Sequence, residues 1–338
     1  MPEKALIEFM LDPGSYPEKP GSVSLVQTHI SLVFIGDAFV YKVKKPLRFD
    51  FLDFTTLERR KFFIEEELRL NRRFSPDVYL AVMPISKKGG SFVIGDDSNI
   101  LEYALKMRRI SEDHMLYRLL AEGRVHREDL KRVGIHLAKL YGKIPSNEKA
   151  RAFGSPEVIY HNLMENFEQT YRYIGGPVSE EAFGAITKWS LSFLKDRSAV
   201  FEERAFRGHI RECHGDLHLE HICMHGQDIY VFDCIEFNER FRFCDVASDV
   251  AFLAMDLDYN SRADLADAFV QAYVRASGDR GMMGVLTFYK VYRAYVRAKV
   301  TSFMLDDAGL EGASKREAFE TAKRYYDLAL GYVSHHED

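Results

Sequence analysis

The chain has 338 residues and a mass of 39.0 kDa, a length that suits two domains. Its 46% hydrophobic and 29% charged residues are those of a folded globular protein, which excludes wholesale disorder. A net charge of −5 excludes a general basic coat for nucleic acid, and no apolar run reaches the roughly 18 residues that span a bilayer. The opening Met1-Pro-Glu-Lys-Ala-Leu-Ile-Glu carries acids where a signal peptide has a basic region, so a cytoplasmic protein with neither nucleic acid nor membrane as partner is expected. Cys213, Cys223, Cys234 and Cys244 lack the CxxC spacing of zinc sites and read as buried free thiols, on strands returning to one layer.

The first element is a short helix over 5–11, closed by Asp12-Pro13-Gly14. Three strands follow, over 23–27, 31–35 and 38–43, rich in β-branched and aromatic residues, with a tight turn at Gly36-Asp37. The apolar spacing then predicts a long helix over 56–74, ending before Pro76. Two further strands are expected over 78–85 and 91–107, separated by Gly89-Gly90. From about residue 111 the pattern is helical, over 111–121, 127–141, 156–173, 180–203, 261–276, 281–305 and 314–333. One β-containing insertion, between about 208 and 244, interrupts it. This order predicts an α+β fold of two lobes: a small β-rich N-lobe over 1–107 and a larger, mostly helical C-lobe over 108–338, its functional loops at 208–250.

The insertion holds the informative polar residues. His214-Gly-Asp-Leu-His218 forms a loop after one strand, and Ile229–Phe232 is a second strand that delivers Asp233 at its end. Two acids at adjacent strand ends can converge on one site. Phosphoryl transfer needs such a pair: one carboxylate takes the acceptor's proton, the other holds a divalent cation against the phosphates.

The run His214-Gly-Asp-Leu-His218, Asp233 at 17 positions beyond Asp216, and Asp245-Val-Ala-Ser-Asp249 together resemble the aminoglycoside phosphotransferase-like small-molecule kinases, which share the protein-kinase-like fold. The resemblance runs through nearly the whole chain. It implies ATP and Mg²⁺ as cofactors and a small-molecule acceptor. Asp216 matches the catalytic base and Asp233 the metal-binding acid. Phe39-Val-Tyr-Lys-Val43 matches the strand of the phosphate-pairing lysine. Period-2 alternation puts Val40 and Lys42 on one face, and the resemblance then implies Val40 against the adenine and Lys42 at the phosphates, with Lys44 the second choice. The lysine's partner acid falls among Glu65, Glu66 and Glu67, and Glu66 is favoured as the residue four before Leu70. Between the first two strands, Thr28-His-Ile-Ser31 replaces a Gly-rich loop, and Ser31 or backbone amides are expected to face the phosphates. The hinge that meets the adenine edge is expected at Tyr103–Arg108, around Met107.

The chain departs from the family five residues after Asp216, where a metal-binding Asn is replaced by His221. Imidazole is a poor Mg²⁺ ligand, so Glu220 as the oxygen donor, or Mn²⁺ on His221, enters as an alternative. The same departure keeps open a degenerate kinase that binds nucleotide as a regulator. His214 and His218 are read as braces of the loop, and Asp245 and Asp249 as caps and anchors, Asp249 as the cap of the following helix. Lys290, Arg293 and Arg297 share one helix face; an anionic acceptor follows if that face lines its cleft, and an internally paired face is the alternative.

Overall fold

The computed structural model describes residues 3–49, 52–307 and 309–335. The chain divides into two compact units, residues 1–122 with 220–239, and residues 123–219 with 240–338. The sequence expectation set one boundary at 107; packing places it at 122 and assigns the hairpin around 230 to the β-rich unit.

That unit opens with α1 (Glu3–Leu11) and three antiparallel strands, β1 (Ser24–Gln27), β2 (Ser31–Ile35) and β3 (Phe39–Lys44). The turn between β2 and β3 closes at Gly36-Asp37, where Gly36 N–H donates to Phe39 O at 2.9 Å. A two-residue ladder, β4 (Arg48–Phe49) and β5 (Leu52–Asp53), leads into α2 (Leu57–Arg72), capped by the Thr56 hydroxyl on Arg59 N–H. Next come β6 (Tyr79–Lys88), β7 (Ser91–Ile94), β8 (Ile100–Arg108) and the short α3 (Leu116–Ala121). The single strand expected over 91–107 is two strands, because Gly95 takes φ +88° and Asp96 accepts from Ser98 N–H in a tight turn.

Six strands form one sheet in the order β1-β2-β3-β8-β6-β7. One face packs Leu32, Phe34, Tyr41 and Val43 under α1. The other carries Val40, Lys42 and Lys44 toward α2, whose inner stripe is Arg60, Ile64, Glu67, Leu70 and Asn71. The buried Arg60 guanidinium holds both oxygens of buried Glu102 on β8, which fixes the phase of α2 against the sheet.

The second unit begins with α4 (Arg127–Lys143), α5 (Glu148–Ala152), α6 (Pro156–Thr170), α7 (Glu180–Asp196), α8 (Ser198–Phe206) and β9 (Ile210–Glu212). The helix expected over 180–203 is two helices broken at Arg197. The chain then supplies β10 (Ile222–His225) and β11 (Asp228–Val231), an antiparallel hairpin of the first unit. After α9 (Glu239–Arg242) and β12 (Phe243–Asp245), which pairs with β9, come α10 (Val246–Tyr259), α11 (Ala263–Ser277), α12 (Met283–Phe303) and α13 (Gly312–Ser334). Helix α4 lies tightly on α11 at Gly134, where a Cβ would stand 2.6 Å from Phe269 O; any larger residue would force the helices apart.

The cysteines are free thiols, three buried and Cys244 half-buried. They do not share one layer: Cys223 lies on β10, whereas Cys244 lies on β12 and accepts at its carbonyl from Cys213 Sγ at 3.4 Å.

Candidate active site

In the β-rich unit, strand alternation puts Lys42 and Lys44 on one face of β3, and Glu67 on α2 meets both. Lys42 Nζ is 2.8 Å from Glu67 Oε1 and 2.7 Å from Asp233 Oδ1; Lys44 Nζ is 2.7 Å from Glu67 Oε2 and also contacts Glu236 Oε1. Burial works against the Lys42 ammonium, but the carboxylates of Asp233 and Glu67 outweigh it and hold its pKa well above the usual value. Burial likewise penalises the Glu67 carboxylate, and the two ammonium groups overcome it and lower its pKa. Glu236 goes the other way: burial raises its pKa, and Lys44 offsets this only in part.

Glu66, the favoured partner from the sequence, is corrected here: it pairs with Arg69 on the outer side of α2. Both Glu66 and Glu67 are near neighbours of Leu70 along the helix, so that residue alone could not choose. The phase is set by Ile64 and Leu70, both buried, with Glu67 midway between them.

Asp233 follows β11 with φ +65°, a left-handed conformation that costs a non-glycine residue roughly 1–3 kcal/mol when held in place. Its backbone N–H donates to Tyr79 Oη at 3.0 Å, and Cys234 N–H donates to Asn71 Oδ1 at 2.9 Å. The Ser75 hydroxyl exchanges hydrogen bonds with Val231 N–H and O. The end of α2 therefore fastens the strand end that presents the Asp233 carboxylate, which is 44% exposed. His221, in the turn before β10, has Nε2 3.7 Å from Asp233 Oδ2. One carboxylate oxygen and one imidazole form a mixed donor pair that suits Mn²⁺ better than Mg²⁺.

Ser31 is not at the loop tip. It opens β2 opposite Lys44, is fully buried, and donates its N–H to Thr28 Oγ1. The exposed residues of that turn are Thr28 and His29. Met107 stands directly opposite Val40 on β3 and Tyr79 on β6, half-buried on the face of Lys42. Strand β8 runs on to Arg108, so 103–107 lies within the ladder, and the expected hinge moves past 108. The Met107 side chain, with Val40, forms an apolar shelf beside the lysine.

In the helical unit, Gly215 takes φ +87°, which turns the chain so that Asp216 stands 34% exposed. Asp249, fully buried on α10, holds this turn. Its carboxylate accepts from His214 N–H at 2.7 Å, Gly215 N–H at 3.1 Å and Tyr141 Oη at 2.6 Å. Arg293 donates to Gly215 O at 2.8 Å and to Ser248 Oγ at 2.9 Å, and lies 3.5 Å from Asp249 Oδ1. Leu219 N–H donates to Asp256 Oδ2 at 2.9 Å. Asp249 is thus the loop's anchor; the cap of α10 is Asp245, which accepts from Ala247 N–H. His214 braces the backbone, accepting at Nδ1 from Asp216 N–H, whereas His218 pairs with the Asp216 carboxylate itself at 3.4 Å. Burial lowers the His218 pKa, but the Asp216 charge prevails and raises it above the ordinary value.

Sequence reasoning missed Glu236, Tyr79, Asn71 and Asp256. Glu236, three residues after Asp233, was within reach of spacing; the others act through long-range packing that carries no local signal.

The fold is protein-kinase-like. The fold is similar to a choline kinase from Cryptosporidium parvum Iowa II, with TM-score 0.58 and 9% identity, over 98% of this chain and 95% of that one. It is also similar to aminoglycoside 2'-phosphotransferase-IIIa in its GDP complex, with TM-score 0.56 and 11% identity, over 96% and 99%. A choline/ethanolamine kinase family protein from Mesorhizobium loti gives TM-score 0.54 at 12% identity, over 97% and 99%.

The model of the phosphotransferase enzyme family matches residues 118–285, which include the Asp216 loop and Asp233. Uncharacterised proteins of Mycobacterium tuberculosis and Mycobacterium bovis are 28% identical over 313 residues, 93% of this chain. The chain spans about 60% of the length of these relatives. Among the described residues, no helix is long and apolar enough to cross a membrane.

Proposed function

We propose that the chain moves the γ-phosphate of ATP to a hydroxyl of a small molecule. The observation that carries this reading is the contact of Lys42 with both Glu67 and Asp233, beside the shelf of Val40 and Met107. A cation beside a half-buried apolar surface fits a nucleoside triphosphate, with phosphates at Lys42 and base against the shelf. GDP complexes among proteins of similar fold make guanine nucleotides the natural comparison.

Asp233 and His221 would hold the divalent cation, which when bound supplies charge neutralisation between the phosphates. Lys42 stabilises the α/β-phosphates, and Glu67 keeps Lys42 charged and aimed. The acceptor oxygen bonds to the γ-phosphorus as the β–γ bridging bond breaks, and the acceptor's proton passes to Asp216. His218, paired with Asp216 at 3.4 Å, fixes the carboxylate. Most of the acceleration then comes from positioning and preorganised charge.

The test is metal-dependent transfer from ATP or GTP across a panel of hydroxylated acceptors, with Asp216→Asn as control. The variant is expected to bind nucleotide within a few-fold of the parent and lose most turnover; full turnover would remove Asp216 from the role of base. A second reading, a nucleotide-binding regulator, is favoured by His221 alone. Nucleotide binding without turnover on the whole panel would favour it.

A further inference from the structure

Lys44 and Glu236 form a buried charge pair in the β-rich unit to which the phosphoryl transfer gives no part. Alternation along β3 puts Lys44 on the face of Lys42, and Glu67 meets both ammonium groups. Glu236 lies three residues after Asp233, on the stretch 232–236 that belongs to neither helix nor strand. Its carboxylate reaches Lys44 Nζ, and the Phe54 ring packs over the same ammonium with its centroid 4.8 Å away.

Two ammonium groups therefore share three carboxylates, those of Glu67, Glu236 and Asp233. Of the three acids, Glu67 and Glu236 are buried and Asp233 is open to solvent. Buried charges persist when they are matched, and Glu67 with Glu236 already matches Lys42 with Lys44. The set then carries one negative charge more than it has positive, and that charge falls on its exposed member. Burial works against the Lys44 ammonium, but the carboxylates of Glu236 and Glu67 outweigh it and raise its pKa. Fastening the loop needs no such charge. Tyr79 and Asn71 already hold the backbone N–H groups of Asp233 and Cys234, and an amide at 236 could accept from Lys44 as well. A carboxylate costs more to bury than an amide, so its presence points to charge rather than anchorage.

Resting on the reading of Asp233 as the acid that holds the cation, we propose that Glu236 is a positioning residue acting through Lys44: it neutralises the second lysine, so that the Asp233 charge stays available to the divalent cation of a bound nucleotide. Without the Glu236 charge, two ammonium groups would draw on Glu67 and Asp233 alone, and a cation would have to compete with them for Asp233. Lys44, the second choice for the phosphates, serves this balance.

The experiment is calorimetric titration of ATP, with and without Mg²⁺ or Mn²⁺, into the parent, Glu236→Gln, and the double variant Lys44→Met with Glu236→Gln, with thermal unfolding as the check on fold. In Glu236→Gln the gain in ATP affinity brought by the metal is expected to shrink about tenfold or to vanish, the scale of losing a group that orients a metal ligand. ATP affinity without metal is expected to hold or rise, because the site has lost a negative charge; a damaged fold would lower it. The double variant removes one charge of each sign, and the metal's gain is expected to return to within a few-fold of the parent's. A folded Glu236→Gln with the parent's gain would overturn the proposal, as would a folded double variant that lacks it. If Glu236→Gln does not fold, the double variant decides by the same measure. A parent whose ATP affinity responds to neither metal removes the cation site and the proposal with it. A responding parent beside an equally responding Glu236→Gln removes the role of Glu236 and leaves the nucleotide reading standing.

Discussion

Lys42 Nζ and Asp233 Oδ1 are 2.7 Å apart, so the lysine proposed to meet the phosphates and the acid proposed to hold the cation pair with one another. Because Lys42 also holds Glu67, it would keep one countercharge if Asp233 turned to a cation, as proposed. Asp233→Asn is therefore expected to leave a folded chain whose nucleotide affinity no longer responds to Mg²⁺ or Mn²⁺. Titration of ATP with and without each metal checks this, and an unchanged metal response would show that Asp233 holds no cation.

Glu67 and Glu66 are adjacent in sequence and opposite in consequence. Glu67 is fully buried between two lysines, so Glu67→Gln leaves buried ammonium groups short of charge and is expected to cost about 3–5 kcal/mol. Glu66 pairs with the half-exposed Arg69, and Glu66→Gln should stay within about 0.5 kcal/mol of the parent. Denaturant unfolding of the two variants measures the difference; equal costs would contradict the assignment of the buried partner.

Asp249 touches no reacting atom in this account and acts by holding 214–215 in place. Asp249→Asn removes the charge that Arg293 faces and weakens the grip on two backbone N–H groups. The expected result is a lower kcat with nucleotide affinity unchanged, since Lys42 and Asp233 belong to the other unit. Steady-state kinetics with nucleotide varied separates this from a general loss of fold, which would weaken both together.

His218 gives the chain a pH signature. Its folded pKa is raised above about 6.5, the unfolded value, so its pairing with Asp216 contributes stability that is fully present below that value. The contribution is lost as pH rises through the folded pKa. In Asp216→Asn the raising charge is gone, while burial and Arg297 still lower the pKa, so the loss should shrink or reverse. Unfolding free energies of parent and variant across this range report it, and parallel curves would exclude the coupling.

The sequence by itself determined the order of elements and the α+β class, and it singled out Asp216, Asp233 and Lys42 as candidates. These are written in local signals: alternation in β3, the glycine that only a left-handed turn requires, and polar runs set between apolar strands. It favoured Glu66 where packing brings Glu67 to the lysine, because neighbours on a charged helix differ only in phase, and Arg60 fixes that phase by reaching Glu102, 42 positions away. The burial of Ser31 and the split of the strand at Gly95 were decided by tertiary structure alone. Each depends on which distant groups surround a residue once the chain has packed, and burial and countercharge are properties of that surrounding rather than of sequence spacing.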